Sequence, residues 1–370
     1  MKMNLIVYKN FIYVKMLIFI LFTYIGILIY NNSFTKLNYI KKKRIGVVGL
    51  PNHNNIGNNL VKFAMFIKLK EFGFEPEIIG KTVQNDTINF LKKYVILKEI
   101  NNTFLELNET NYDLMMVNSD QTWNNYENKD FLDYGFLRFA KNWKIPKFVY
   151  GASLGHDFWN YSKELDNKAK NLLINFTGIS IREKSTVNLI KKHLGIIPQF
   201  VLDPTFLINK TYYLDLIKDF KRDFNFKEKY LCVYQLDINP LIEEFISEAN
   251  KKLNYTIYKV NQLEFNYVEN FIFAINISEA VITDSFHGTI FSIIFNKPFI
   301  SFINTFRGKG RFTSLRETFN LQERIIYPTE INNNCNIINL LSIPLNINES
   351  LINSFKNESI SYLKRNLGIK

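Results

Sequence analysis

His287, one of four histidines in the chain, stands five residues beyond the apolar run Ala280-Val281-Ile282 in "AVITDSFHGTIFSIIF". A histidine at the start of a helix can serve as general acid or base near neutral pH. Asp284, three residues earlier, would orient the imidazole or cap the helix, and Ser285 lies between them. Twenty residues on, "TFRGKGR" carries Arg307, Lys309 and Arg311 on a glycine-rich loop, a basic group able to hold an anionic ligand. Four further clusters offer related chemistry. "GLPNHNNIGNNL" (Gly49–Leu60) supplies Asn55, Gly57 and Asn58 at a helix start, where free N–H groups favour an anion or a sugar oxygen. The same residues would serve equally as turn and cap. "VNSDQTWN" places Ser119 and Asp120 behind a buried strand; the carboxylate would hold or deprotonate a sugar hydroxyl, or cap a helix. "YGASLG" (Tyr150–Gly155) is small enough for close backbone approach. In "SIREKS", Arg182 offers a planar fork to carboxylate or phosphate, or to a neighbouring acid.

These clusters follow short apolar runs that read as strands. "RIGVVGL", "YDLMMV", "KFVYGAS" and "GISIR" form a first series, with helical patterns such as Asn58–Gly73, Ser162–Phe176 and Lys184–Leu194 between them. "YLCVYQL", "YTIYKV", "AVITDS" and "PFISF" form a second. Such alternation predicts an α/β protein with two Rossmann-like, doubly wound domains and a cleft between them. Ligands of open α/β sheets bind beyond the carboxyl ends of the strands, where the five clusters fall. The expected boundaries are an N-terminal segment 1–40, domains over 41–205 and 206–330, and a helical tail over 331–370.

The net charge of +12 raises nucleic acid as a partner. The lysines are scattered, however, with no run longer than Lys41–Arg44, and no zinc, RNA-recognition or basic-helix pattern appears. Nucleic acid is therefore not expected, and the charge suits steering of an anionic substrate instead. Cys232 and Cys335 make neither a disulfide framework nor a metal site, and no cofactor is implied. Residues 11–30 carry no charge but that of Lys15, are largely apolar and are long enough to cross a bilayer, with no cleavage site following. They predict an N-terminal apolar helix acting as a single-pass membrane anchor. Asn-X-Ser/Thr motifs begin at eleven asparagines between Asn31 and Asn357. With the anchor, they favour a secretory lumen in a eukaryote; in a bacterium, the cytoplasmic face is expected.

Taken in order, "NIGNNL", "VNSDQTWN", "YGASLG", "SIREKST", "VLDPTFL" and "TDSFHGTIFSIIFNKPFI" resemble the polysaccharide pyruvyl transferases over roughly residues 44–320. The resemblance implies two Rossmann-like domains of GT-B type. It implies transfer of pyruvate from phosphoenolpyruvate onto a glycan acceptor as a ketal, with release of phosphate. It also implies His287 as the acid that protonates the enol carbon, and Arg182 with the Arg307/Lys309 loop as the clamp on carboxylate and phosphate. The chain departs from the family at Ser285-Phe286-His287, where ketal-forming members tend to carry Arg-Leu-His, and at Asn118, where glycine is usual. Arg311 is the candidate substitute for the missing arginine. A GT-B-like glycosyltransferase using a nucleotide sugar, or a non-catalytic glycan-binding or assembly protein, are the alternatives.

Overall fold

Among the described residues, two separate parallel sheets form, one of seven strands and one of five. The first holds β1 (Arg44–Val48), β2 (Glu75–Gly80), β3 (Leu97–Glu99), β4 (Leu114–Val117), β5 (Lys147–Ala152), β6 (Gly178–Ile181) and β7 (Gln199–Phe200), in the order 3-2-1-4-5-6-7. The second holds β8 (Tyr230–Tyr234), β9 (Thr256–Lys259), β10 (Ala280–Thr283), β11 (Phe299–Phe302) and β12 (Ile325–Ile326), in the order 12-11-10-8-9. Among the described residues all the strand pairings are parallel. This is a computed structural model, and it describes residues 42–83, 89–101, 103–125, 130–220, 227–260, 267–333 and 336–369, together with Leu21, Thr23 and Tyr24. Residues 43–370 form one unit, separate from 1–42.

Each sheet reverses direction once. The reversal lies between β1 and β4 in the first sheet and between β8 and β10 in the second. A crevice opens at such a point because the connections from the two central strands leave towards opposite faces. The eight strands expected from apolar runs are all present, while the more polar β2 and the short β3, β7 and β12 appear besides. β2 reads "EPEIIG", and its outer residues are partly exposed, so no continuous apolar run marks it.

An extensive apolar contact joins the two sheets. Helix Ile56–Glu71 buries thirteen of its sixteen residues, a pattern of burial all round rather than on one stripe. Its residues Leu60, Met65 and Leu69 are fully buried, and each such side chain contributes about 1.5–3 kcal/mol. The helix belongs to the first half, yet it shares one core cluster with Cys232, Phe271, Val281 and Phe291 of the second. Phe63 meets Tyr213 at 6.2 Å, Tyr213 meets Phe291 at 4.8 Å, and Phe291 meets Phe271 at 5.4 Å between ring centres. The Asn59 amide also donates to the Tyr267 hydroxyl at 2.6 Å. A broad apolar interface of this kind holds domains in one arrangement, where a small polar one would let them move.

The tail ends in helix Glu349–Leu367, which returns to the first sheet. There the Tyr362 hydroxyl donates to the Val149 carbonyl at 2.6 Å and Ser359 Oγ accepts from Leu202 N at 2.9 Å. Of the apolar N-terminal stretch, all but Leu21, Thr23 and Tyr24 lies outside the described residues, as does Cys335; those three residues are helical. No helix among the described residues is long and apolar enough to cross a membrane.

Candidate active site

A cavity of about 250 Å³ lies beyond the carboxyl ends of β1, β4, β8 and β10, the four strands that flank the two reversals. The loop after β1 contributes Leu50, His53, Asn55 and Gly57, and the loop after β4 contributes Asp120 and Gln121. From the second sheet come Tyr234, Leu236, the run Asp284–His287, and Phe306, Arg307, Arg311 and Phe312.

Local sequence explains how His287 arrives there. Thr283 ends β10 by donating from Oγ1 to the Tyr234 carbonyl at 2.6 Å, and the same oxygen accepts from Ser285 N at 3.0 Å. Ser285 then caps helix Phe286–Ile294, its Oγ accepting from Gly288 N at 3.2 Å. His287 is the second residue of that helix and only 6 % exposed. Its ring rests on Gly57 at the start of helix Ile56–Glu71. A Cβ at residue 57 would fall 2.0 Å from His287 Nδ1, so the imidazole occupies the space of a missing side chain. Replacing Gly57 by alanine raises helix propensity by about 1 kcal/mol yet displaces the imidazole. A shift near 1 Å costs roughly 100-fold in rate. We therefore expect Gly57→Ala to keep native circular dichroism and lose turnover on that scale; turnover within about threefold of wild type would mean that the imidazole position is unimportant.

The carboxylate nearest the imidazole is Asp203, whose Oδ2 lies 3.7 Å from Nε2, beyond hydrogen-bonding distance. Asp284 is engaged elsewhere. It accepts from Leu236 N at 2.6 Å, from Asp237 N at 3.0 Å and from Asn304 Nδ2 at 3.1 Å. It therefore ties three loops of the second sheet together, and neither caps the helix nor orients His287. Burial pushes its carboxyl above the ordinary value despite those bonds.

Behind the cavity wall, Arg182 is gripped by two carboxylates. NH2 donates to Asp120 Oδ1 at 2.9 Å and NH1 to Asp203 Oδ2 at 2.5 Å, with the guanidinium 1 % exposed. The ion-pair alternative for Arg182 is thus the arrangement found, and its fork is not presented to the cavity. Burial drives the Asp120 carboxyl up, but Arg182, His287 and Arg311 outweigh it and hold the group well below the usual range. Asp203 is likewise lowered, with burial overcome by His287, Arg182 and Thr205. Asn58, buried behind the cavity, donates to Asp120 Oδ2 at 3.1 Å. Asp120 also carries a φ of 101°, a left-handed conformation that costs a non-glycine residue about 1–3 kcal/mol and concentrates at functional sites.

The remaining expected residues divide. Asn55 lines the cavity and caps its helix, accepting from Asn58 N at 2.9 Å. Ser119 is turned to the backbone, donating to the Gly151 carbonyl at 2.7 Å. Arg307 lines the rim and forms a two-point pair with Asp237, at 2.6 and 2.9 Å. Arg311 lines the cavity, is 7 % exposed, and lies 5.1 Å from the Phe286 ring centre. Arg182 lies 5.0 Å from the same ring. Lys309 is not among the residues that line the cavity and pairs with Asp157 at 3.1 Å. The expected loop is in fact helical from Lys309 to Thr318. Its preceding Gly308 has φ 103°, and a Cβ there would fall 1.7 Å from the Gly155 carbonyl oxygen.

Asp203, His53, Phe286 and Phe306 were not singled out from sequence. Asp203 reads as a turn residue before Pro204, and it does cap that turn, accepting from Thr205 N at 3.1 Å. Its strand-end position was the available signal. Lys62 was invisible for another reason: a lysine in a helix reads as surface. It is buried, with Nζ donating to the Leu50 carbonyl and Asn52 Oδ1, both at 2.8 Å. Burial lowers its ammonium to about 7, and the contacts hold the loop that carries His53. No groups of acidic, histidine and cysteine side chains that could hold a metal ion occur among the described residues.

Comparison with known proteins adds three findings. The chain matches the family described as polysaccharide pyruvyl transferase over residues 55–305. No curated protein matches it. Among solved structures it resembles the UDP-GlcNAc 2-epimerase of Neisseria meningitidis bound to UDP-GlcNAc, with a TM-score of 0.51, 11% identity, and 87% of this chain and 100% of that chain covered. The UDP-GlcNAc 2-epimerase of Methanocaldococcus jannaschii gives 0.52 at 14% identity, covering 86% and 99%. Anabaena HepE in complex with UDP and glucose gives 0.51 at 10% identity, covering 88% and 95%. At these identities the likeness concerns the fold, which is GT-B-like.

Proposed function

The chain belongs to the polysaccharide pyruvyl transferase family, and on that premise we propose that it moves a pyruvyl group from phosphoenolpyruvate onto a pair of glycan hydroxyls as a ketal. The observation that carries this reading is the His287 imidazole, seated on Gly57 in a cavity that also receives Arg307 and Arg311. Protonated His287 gives its proton to the vinyl carbon C3, leaving a cationic C2. One acceptor oxygen bonds to C2, the C2–O bond to phosphate breaks, and the second oxygen closes the ketal. Of the two hydroxyl protons released, one returns to His287 and the other leaves with phosphate. Asp203 Oδ2 stands 3.7 Å from Nε2; His287 and Arg182 keep the Asp203 carboxyl ionised, and Arg182 does the same for Asp120. Arg311 and Arg307 supply positive charge for the donor carboxylate and phosphate.

Ser285 is occupied as a helix cap, so no guanidinium stands where the family's ketal-forming members tend to have one. That favours a second reading, a glycosyltransferase of the same fold using a nucleotide sugar. Incubating the detergent-solubilised full chain with glycan acceptors, and with phosphoenolpyruvate or nucleotide sugars, distinguishes them. Phosphate release supports the first reading and nucleotide release the second. Release of neither leaves a non-catalytic glycan-binding protein. We also propose that residues 11–30 anchor the chain in a membrane; it should then resist extraction by high salt and be released by detergent. Recovery of the full-length chain in the soluble fraction would overturn the anchor.

A further inference from the structure

Phe306 and Ile238 are 95 % and 91 % exposed, more than any other large apolar side chain among the described residues. Both stand on the rim of one recess of about 260 Å³, which also has Asp284 and Phe306 in common with the catalytic cavity. Two isolated apolar residues on a surface need no explanation, but two on one recess that opens into a reaction cleft do.

The backbone beneath Phe306 is rigidly held. Asn304 is 7 % exposed, and its Oδ1 accepts from Phe306 N at 3.1 Å and from Arg307 N at 3.2 Å. Its Nδ2 donates to Asp237 at 2.7 Å and to Asp284 at 3.1 Å. One buried amide thus fixes the turn that projects the Phe306 ring into solvent. Holding an aromatic ring outward before a ligand arrives removes an ordering cost from binding.

The chemistry of the recess selects its ligand. The charged side chains lining it are Asp237 and Asp284, both carboxylates, while Asn239, Thr305 and Tyr327 add polar groups. Asp237 shares its carboxylate with Arg307 and Asn304 and has lone-pair capacity left to accept from a hydroxyl. Among the described residues no cation lines the recess to hold a multiply charged donor. The donor therefore belongs on the Arg311 side, and a neutral polyhydroxyl compound with an apolar face belongs here. Resting on the pyruvyl-transfer reading, we propose that this recess is the acceptor subsite. A hexopyranose ring of the glycan lies with its C–H face on Phe306 and its hydroxyls towards Asp237, Asn239 and Thr305, and Phe306 is a specificity-determining residue.

The test is saturation-transfer NMR on the full chain in detergent, with methyl hexopyranosides and UDP as separate probes. Wild type and Phe306→Trp should transfer saturation to the pyranoside ring protons. Phe306→Ala should bind them about three- to tenfold more weakly, the range for loss of one aromatic contact, with UDP unaffected. Equal pyranoside binding by wild type and Phe306→Ala would overturn the proposal. So would UDP binding that depends on Phe306 without any pyranoside binding. The outcome is separable from the parent reading. If wild type binds pyranosides through Phe306 but never consumes phosphoenolpyruvate, the donor assignment fails and the subsite stands. If phosphoenolpyruvate is consumed and Phe306→Ala keeps the wild-type acceptor KM, the subsite alone fails.

Discussion

Replacing His287 by alanine should lower turnover by about two to four orders of magnitude, the contribution of a positioned general acid, while the chain stays folded. Folding should survive although the imidazole is one of the groups that hold the Asp203 carboxyl down. The ring Nε2 has no hydrogen-bond partner in reach, and Asp203 keeps Arg182 and Thr205 when the imidazole is gone. Steady-state kinetics with phosphoenolpyruvate and a competent acceptor, set beside circular dichroism, measures both halves of the expectation. If His287 is the acid, the loss lies in kcat, because the proposed donor contacts belong to Arg307 and Arg311 instead. A variant that turns over within about threefold of wild type would move the acid elsewhere in the cleft.

The second large effect is on stability. Arg182→Ala should destabilise the chain by about 3–5 kcal/mol, the cost of leaving buried charges without their partner. Asp120 and Asp203 would each lose the guanidinium that overcomes their desolvation. Lysine should rescue it poorly, since one ammonium cannot reproduce a fork that meets two carboxylates at 2.9 and 2.5 Å. The acid limb provides a second readout. Both carboxyls are held below their unfolded values in the folded chain, so the unfolded state takes up protons first as pH falls. Their stabilising contribution is complete above about pH 5 and is lost progressively below it. Arg182→Ala should weaken that acid-dependent loss, because the carboxyls no longer gain from ionisation in the fold. Denaturant titrations at neutral and acid pH decide the matter, and a neutral-pH change below about 1 kcal/mol would mean that the triad is dispensable.

Much of this site was readable before any fold was known, because strand ends are marked by composition. An apolar run that breaks into Asn, Ser, Asp or Gly announces where a parallel strand stops. Gly49–Leu60, Val117–Asn124 and the His287 stretch were located on that signal, and all three reach the cavity. Which atoms meet there was not readable. Arg182 is as suitable for a phosphate as for an acid by type alone, and only the approach of Asp120 and Asp203, 62 and 21 residues away in sequence, decided for the acid. Asp284 is nearer His287 in sequence than Asp203, yet the strand order brings Leu236 and Asn304 to it instead. Proximity along the chain is a poor guide where a parallel sheet reorders its strands.

By itself, the sequence determined the alternation of strand and helix, the two sheets it builds, and the family. Local periodicity and end signals are properties of neighbouring residues, so they survive without a fold. Tertiary structure alone decided the pairing of His287 with Gly57, the burial of Lys62 and the commitment of Arg182. The first depends on two sheets meeting through one apolar core, and the other two on loops and strand ends of the first sheet that folding brings against these side chains; such contacts follow from packing, which no single stretch of chain encodes.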